Sequence, residues 1–325
     1  MFVLIFCFIS LSRAAINYIS NITKMKSLAH FSRDQSISQD PTKENCSTDS
    51  KKNLDLIDAK VVHGISYREE IVQNFPIHKD AEVYPMNNRK RGKCVIFNNK
   101  IFNEMEKRNG TENDQKAIEH TFTNLGFEVI SHLDLDYIGI MEEAVNLSAD
   151  NYEDCDSICI FILSHGTNGD YIYAKDYPYR VSDIWGRFTA DNCPSLTGKP
   201  KLFFIQACKG KNTMQGIRVR SATDSVQKSY TIPTHADFLY GYSSVEGHYS
   251  FRSTRGSYYI QTLCEVINEH WRNMDLLKML TITSRKVAFE FEAAHNSPFL
   301  NETKQMPTFS STLTRDLYFF PEKKS

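Results

Sequence analysis

Short apolar runs alternate with stretches of helical periodicity along most of the chain. Runs bounded by polar residues predict buried strands at 94–97, 127–133, 157–163 and 201–207. Between these runs, apolar residues recur at helical spacing and predict helices at 111–125, 137–145 and 181–188. Such alternation is typical of an α/β fold with an open, mostly parallel sheet and helices on both faces.

The pattern breaks after the strand at 201–207 and then resumes. Residues 209–231 are polar, contain glycine and lack periodicity, which predicts a long exposed loop. A strand at 237–242 and helices at 257–271 and 274–293 follow. Asp316–Phe320 (DLYFF) is predicted to be a terminal strand. Because it is apolar on both faces, we expect something to cover it.

The amino-terminal residues show little pattern. Residues 32–52 contain hardly any apolar side chains, and we expect 1–83 to be a largely disordered prosegment. Phe2–Leu11 is an apolar run too short to span a bilayer, and no basic residue precedes it. Two interpretations stay open. This segment could be a signal-like leader, or the protein could be cytoplasmic, with an unusual leader or a start at Met25. The cytoplasmic interpretation is favoured.

Composition narrows the class of protein further. The 325 residues include 38 Lys and Arg against 39 Asp and Glu, a net charge of −1, which disfavours nucleic acid or a membrane as a partner bound by bulk charge. None of the eight cysteines forms a C-x-x-C pair, so no metal site or cofactor is predicted. Eight thiols in a chain of this length suggest a reduced, cytoplasmic compartment.

A histidine and a cysteine follow two of the predicted buried strands. His165 and Gly166 come after the strand at 157–163, and Cys208 comes after the strand at 201–207. Carboxyl ends of neighbouring parallel strands share one edge of a sheet, where catalytic groups gather. An adjacent imidazole lowers the pKa of a thiol and so favours the nucleophilic thiolate. The backbone N–H groups of Gly166 and Cys208 could then face an oxyanion.

Several separate motifs extend this pattern: SHG at 164–166, KPKLFFIQACKG at 199–210, RNGT at 108–111, DFLYGYSS at 237–244 and YSFRS at 249–253. Together they make residues 84–320 resemble the caspases, a family of aspartate-directed cysteine endopeptidases, of which QAC-x-G is a known signature. The resemblance implies a six-stranded caspase-like sheet and an executioner-like member with a short prodomain. Lys209 departs from the residues usual after the nucleophile, and we expect its side chain to point away from the thiol.

The resemblance also implies roles for individual residues. Cys208 is the nucleophile and His165 the general base and acid, with a backbone carbonyl near Glu106 orienting the imidazole. Arg108, Gln206 and Arg252 hold the substrate aspartate. The backbone of Ser250 and Arg252 pairs with the substrate strand, and the side chains of Tyr249, Phe251 and Tyr258 form apolar walls upstream of the aspartate.

Activation and assembly are further expectations from the family. Cleavage after Asp224 would separate a large subunit (84–224) from a small one (225–325), and Asp49, Asp58 and Asp80 are candidates for removal of the prosegment. The DLYFF strand would pair across a homodimer. An upstream initiator caspase and inhibitor-of-apoptosis proteins are expected partners, beside protein substrates in apoptosis.

Two alternatives stay open at this point. The first is a catalytically silent homologue that regulates an active caspase, although the presence of Cys208, His165, Gln206, Arg108 and Arg252 argues against it. The second is a related protease directed at basic residues, which would need an acidic pocket.

Overall fold

The computed structural model describes residues 80–167, 170–209, 234–294 and 300–320. The chain divides into two compact units, Met1–Glu70 and Ile71–Ser325, and every described residue belongs to the second. Nearly all of the predicted prosegment and of the loop at 209–231, including Asp224, lies outside the described residues.

The described residues form ten strands and five α-helices. The strands are β1 (Lys93–Asn98), β2 (Glu128–Leu133), β3 (Ile158–Leu163), β4 (Tyr171–Tyr173), β5 (Pro178–Arg180), β6 (Lys201–Gln206), β7 (Phe238–Tyr242), β8 (Arg252–Ser253), β9 (Gly256–Ser257) and β10 (Thr308–Ser311). The helices are α1 (Thr111–Asn124), α2 (Tyr137–Ala149), α3 (Ser182–Trp185), α4 (Tyr258–His270) and α5 (Leu276–Glu290).

Six of the strands form the central sheet in the order β10-β7-β6-β3-β1-β2. All neighbours in it are parallel except β10, which runs antiparallel to β7 at the edge. The hairpins β4–β5 and β8–β9 are separate two-stranded sheets. The predicted open, mostly parallel six-stranded sheet is therefore confirmed.

Each central strand buries both of its faces. Ile96, Phe161 and Phe204 belong to one apolar cluster, into which α1, α4 and α5 also pack. Alternate residues such as Val95, Ile160 and Phe203 belong to a second cluster with α2 and α3. Because side chains alternate across a strand, a continuous apolar run fits a strand that is covered by helices on both sides.

Several helices begin where the sequence provides a polar cap. Asp136 accepts a hydrogen bond from the backbone N–H of Gly139 at the start of α2, and Ser257 accepts one from Ile260 at the start of α4. Asp275 caps α5 in the same way through Lys278. These caps satisfy N–H groups that have no partner within the helix and so fix its first turn. In the part of the chain that the structure describes, no helix combines the length and apolarity needed to cross a membrane.

The predicted terminal strand at Asp316–Phe320 is wrong. The sixth strand of the sheet is β10, whereas the DLYFF segment makes only an isolated bridge, between Asp316 and Val83. Leu317 and Phe319 are 1% exposed and enter the core beside the ring of Phe122. The segment is apolar because it packs on the core of its own chain, and so it is not an uncovered edge that requires a second copy.

The helix predicted at 181–188 is also shorter than expected. Only Ser182–Trp185 is α-helical, and the next turn, Gly186–Phe188, is a 3₁₀ helix. The other predicted elements agree with the structure to within a few residues at each end.

Candidate active site

The register of two parallel strands brings His165 and Cys208 to one edge of the sheet. β3 and β6 are neighbours, and Leu163 pairs with Gln206. One residue further on, the backbone N–H of Ser164 still donates to the carbonyl of Gln206 at 3.1 Å. His165 and Cys208, each two residues past this last pair, therefore emerge side by side, as expected from the sequence. We call His165, Gly166 and Cys208 the reacting edge.

A backbone carbonyl orients the imidazole of His165. Its Nε2 lies 2.8 Å from the carbonyl oxygen of Glu106, as the sequence suggested, and its ring packs on Phe102 with centroids 4.8 Å apart. A carbonyl oxygen can only accept, so we assign the proton of the neutral ring to Nε2. Nδ1 is then the basic nitrogen.

The thiol of Cys208 contacts both polar backbone groups of Ser250. The N–H of Ser250 donates to Sγ at 3.4 Å, and the thiol donates to the Ser250 carbonyl at 3.5 Å. Ser250 is the residue expected to pair with a substrate strand. In this structure its polar backbone groups face the Cys208 thiol.

Burial is the main cause of a pKa shift at both Cys208 and His165. It raises the pKa of the Cys208 thiol, and the opposing effects of the Ser250 N–H, Arg108 and Arg252 do not overcome it. Burial also lowers the pKa of the His165 imidazole below 6.5, assisted by the same two arginines. Burial therefore opposes the lowered thiol pKa that an adjacent imidazole would produce. Near neutral pH this structure favours a neutral thiol beside a neutral imidazole.

Gly166 allows the two strand ends to approach closely. A Cβ atom at this position would lie 2.0 Å from the carbonyl oxygen of Cys208, so no other residue fits. The backbone N–H of Thr167 donates to the carbonyl of Tyr171, and the N–H of Tyr173 donates to the carbonyl of His165. These two bonds flank an antiparallel bridge between Gly166 and Ile172. In such a bridge the N–H of Gly166 points away from β4. Among the described backbone groups, that N–H has no acceptor and is available to an oxyanion.

Two arginines from distant parts of the chain lie close enough that the charge of Arg252 lowers the pKa of Arg108. Arg108 precedes α1 and is completely buried, whereas Arg252 begins β8. Burial and the charge of Arg252 lower the pKa of Arg108 to about 9. Arg252 is anchored by a hydrogen bond of 2.9 Å from its Nε to the carbonyl of Asn109. With Gln206, whose Nε2 donates to Ser250 Oγ at 2.7 Å, these side chains form what we call the cationic socket.

The guanidinium of Arg108 is only partly satisfied. Its Nη1 donates to the Asn99 carbonyl at 3.0 Å and to Thr111 Oγ1 at 2.9 Å. Its Nε and Nη2 have no hydrogen-bond partner among the described residues, although both are buried. Burial of these two donor atoms without an acceptor is costly, and a bound group that offers acceptor oxygens would relieve this cost.

The three aromatic residues expected to line the substrate cleft lie together. Tyr249 and Phe251 have ring centroids 6.4 Å apart, and all three rings are partly exposed. Phe291, which the sequence analysis did not single out, joins the group at 5.3 Å from Phe251 and 5.2 Å from Tyr258. Phe291 follows the end of α5, and no motif marks it.

Asp114 is a second residue that the sequence analysis missed. It is buried, and its carboxylate accepts hydrogen bonds from the Ser257 N–H at 2.8 Å and from Gln261 Nε2 at 2.8 Å. The negative charge of Asp114 acts to raise the pKa of both Arg108 and Arg252, which favours their charged forms. The signal that could have revealed it is its position three residues after Thr111 and four before Ile118, on the buried face of α1.

Lys209, the departure from the usual family sequence, is held by other residues. Its Nζ lies 3.1 Å from Asp170 Oδ1 and 3.6 Å from the ring centroid of Tyr242. These contacts are consistent with a side chain that takes no part in the reacting edge. Among the described residues, no group of His, Cys, Asp and Glu is arranged to hold a metal ion.

Comparison with known proteins assigns the fold and site to a family. The family described as Caspase domain matches residues 91–318. Caspase-1 of Drosophila melanogaster is 40% identical over 258 residues, which cover 77% of this chain and 80% of that protein. Caspase-7 of Gallus gallus is 39% identical, over 73% of this chain and 79% of that protein. The crystal structure of caspase-1 from Spodoptera frugiperda superposes with a TM-score of 0.72 at 37% identity, over 78% of this chain and 99% of that one.

The matched domain and these relatives define a cysteine-type endopeptidase. The chain belongs to the caspase family. It is accordingly an aspartate-directed cysteine protease of apoptosis.

Proposed function

We propose that Cys208 is the nucleophile and His165 the general base and acid of this protease, and that the cationic socket binds the aspartate before the cleaved bond. The observation that carries the proposal is the buried guanidinium of Arg108, with two donor atoms unused beside Arg252. A planar, bidentate carboxylate supplies the missing charge and acceptors together.

The chemistry follows from two neutral reacting groups. As Cys208 Sγ attacks the peptide carbonyl carbon, its proton passes to Nδ1 of His165. The Glu106 carbonyl stabilises the imidazolium that forms. The N–H groups of Gly166 and Cys208 stabilise the oxyanion. His165 then protonates the leaving amine, which gives a thioester. Water that is deprotonated by His165 attacks this thioester, and release of the new carboxyl terminus restores the thiol.

Substrate binding in this proposal displaces the contact between Ser250 and Cys208. The N–H and carbonyl of Ser250, which pair with a substrate strand in this proposal, contact Cys208 Sγ here. An extended peptide that pairs with Ser250 would therefore free the thiol as it binds. Half-exposed rings of Tyr249, Phe251 and Tyr258 would contact the residues upstream of the aspartate.

Specificity is tested with peptides that differ only at the residue before the cleaved bond. Replacement of Asp by Asn should lower kcat/KM about 10⁴-fold, because a neutral amide replaces the carboxylate that the two guanidinium groups would bind. A Lys peptide should not be cleaved. Equal cleavage of the Asp and Asn peptides would show that the socket does not bind a carboxylate.

We further propose activation by cleavage after Asp224, which leaves 84–224 and 225–325 associated. Contacts between the two parts support this association: Tyr84 Oη donates to Asp237 at 2.6 Å, and Asp114 binds Ser257. The chain expressed in bacteria should show two fragments by intact mass. Cys208→Ala and Asp224→Ala should each leave it whole, and continued cleavage in Asp224→Ala would place the processing site elsewhere.

The active form is proposed to be a homodimer of large and small subunit pairs that acts in the cytoplasm after cleavage by an upstream initiator caspase. The edge strand β10 pairs on one side with β7, and its Ser310 and Ser311 are exposed. Its other edge could therefore pair with a second copy. Sedimentation of the processed protein should give twice the mass of one pair. Binding of inhibitor-of-apoptosis proteins is a separate expectation, testable with purified components.

A further inference from the structure

A buried glutamine connects the substrate-binding segment to the strands behind the nucleophile. Gln305 lies three residues before β10 and is 1% exposed. Its Oε1 accepts a hydrogen bond of 2.9 Å from the backbone N–H of Phe251. Its Nε2 donates one of 2.7 Å to the carbonyl of Ser243. Both ends of the amide are therefore used.

The Ser243 end of this connection reaches the strand that carries the nucleophile. The backbone N–H of Ser243 donates to Ile205 at 3.0 Å, and its hydroxyl donates to the carbonyl of Ala207 at 3.1 Å. Ala207 immediately precedes Cys208. Gln305 is thus two hydrogen bonds away from the residue before the nucleophile.

The Phe251 end determines which edge of the substrate-binding segment faces the site. In extended chain, the N–H groups of successive residues point to opposite edges. The N–H of Phe251 points to Gln305, and that of its neighbour Ser250 points to Cys208 Sγ. A fixed Phe251 N–H therefore presents the polar backbone groups of Ser250 to an incoming peptide.

We propose that Gln305 is a positioning residue for substrate binding: its side-chain amide holds the segment Ser250–Arg252 at a set distance and orientation from Cys208. This inference rests on the proposed function of that site. Loss of the amide leaves a part-buried donor on Phe251 and a buried acceptor on Ser243 without partners, which favours movement of the segment away from Cys208.

The test compares Gln305→Met, which keeps the length of the side chain without its hydrogen bonds, with Thr283→Val. Thr283 is also buried, and among the described residues its hydroxyl bonds only to the Met279 carbonyl within α5. For cleavage of an Asp-containing tetrapeptide, Gln305→Met should raise KM about tenfold while kcat changes less than about threefold. Thr283→Val should leave both constants unchanged.

Hydrogen exchange provides a readout that does not depend on activity. The amide of Phe251 should be protected in the unmodified chain, should lose protection in Gln305→Met and should keep it in Thr283→Val. If the Phe251 amide exchanges as fast as that of exposed Thr254, the inference fails even where Gln305→Met does not fold. Lost protection with an unchanged KM would also overturn the positioning role. If the unmodified chain shows this protection but cleaves no Asp peptide, the proposed function is refuted. The hydrogen bond between Gln305 and Phe251 would still be supported.

Discussion

The reacting edge and the cationic socket of this caspase differ in how their groups are satisfied. At the reacting edge, His165 bonds to Glu106 and Cys208 bonds to Ser250, and burial favours the neutral form of each. In the socket, burial lowers the pKa of both Arg108 and Arg252, and Arg108 retains unused donors. The imidazole and the thiol therefore have hydrogen-bond partners within the chain, whereas two donor atoms of Arg108 have none among the described residues.

The largest effect is expected at the reacting edge. Cys208→Ala should lower kcat/KM for an Asp peptide by at least about 10⁴-fold, because no other nucleophile lies there. His165→Ala should cost nearly as much, since a neutral thiol needs a base at the moment of attack. The double variant should be no worse than either single variant. Losses that multiply would mean that the two groups act independently, and peptide turnover measures this.

In the socket, Arg252→Ala should lower kcat/KM by at least about 10³-fold, a loss comparable to removal of an oxyanion donor. Arg255→Ala, an exposed arginine in the same hairpin, is the matched control and should change it less than about twofold. A loss in Arg252→Ala below about tenfold, or about 1.4 kcal/mol, would mean that the aspartate is bound elsewhere.

A variant of Asp114 tests whether the carboxylate of this residue stabilises the two arginines of the socket. Asp114→Asn should lower the free energy of unfolding by about 1–3 kcal/mol, because it removes the charge that opposes Arg108 and Arg252 and weakens the bonds to Ser257 and Gln261. A peptide aldehyde ending in Asp should stabilise this variant more than the unmodified chain, since the ligand replaces the lost charge. Denaturant unfolding with and without the aldehyde measures both effects.

Glu142→Gln, at an exposed acid on α2, is the control for that experiment and should change the free energy of unfolding by less than about 0.5 kcal/mol. Equal stabilisation of Asp114→Asn and the unmodified chain by the aldehyde would show that the carboxylate of Asp114 does not share the socket's charge.

The smallest expected effect concerns pH. His165 must be neutral to accept a proton, and burial lowers its pKa, so activity should persist as pH falls and decline only below pH 6.5. Phe102→Ala uncovers the ring and should move the midpoint of this decline upward, toward 6.5. Phe289→Ala, an aromatic residue that is 76% exposed on α5, should not move it. A midpoint above 6.5 in the unmodified chain would contradict the effect of burial.

Much of the reacting edge could be predicted because it follows from local sequence. Apolar runs at β3 and β6 identified two central strands, and parallel pairing puts the residues after them at one edge. The DLYFF segment shows the limit of the same reasoning. Its apolar side chains indicated burial correctly, but periodicity does not distinguish burial in a sheet from burial of an extended terminus beside Phe122. The real edge strand, β10, is partly exposed and polar, so its pattern was weak.

The pKa of Cys208 shows another limit. The sequence indicated an imidazole neighbour and hence a lowered thiol pKa. Burial of the thiol depends on every element around the site, and it raises this pKa despite the opposing effects of the Ser250 N–H, Arg108 and Arg252. Gln305 and Asp114 escaped notice for a related reason. Each acts through contacts with residues more than fifty positions away in the chain.

By itself, the sequence determined the succession of strands and helices, the thiol and imidazole at two strand ends, and the motifs shared with caspases. These features are encoded in runs of neighbouring residues, because pleat, helical spacing and caps act over a few positions. Only the tertiary structure decided the edge strand, the protonation of the reacting pair, the unsatisfied Arg108 and the clamp formed by Gln305. Each of these depends on burial and on distances between segments remote in sequence, which local patterns do not specify.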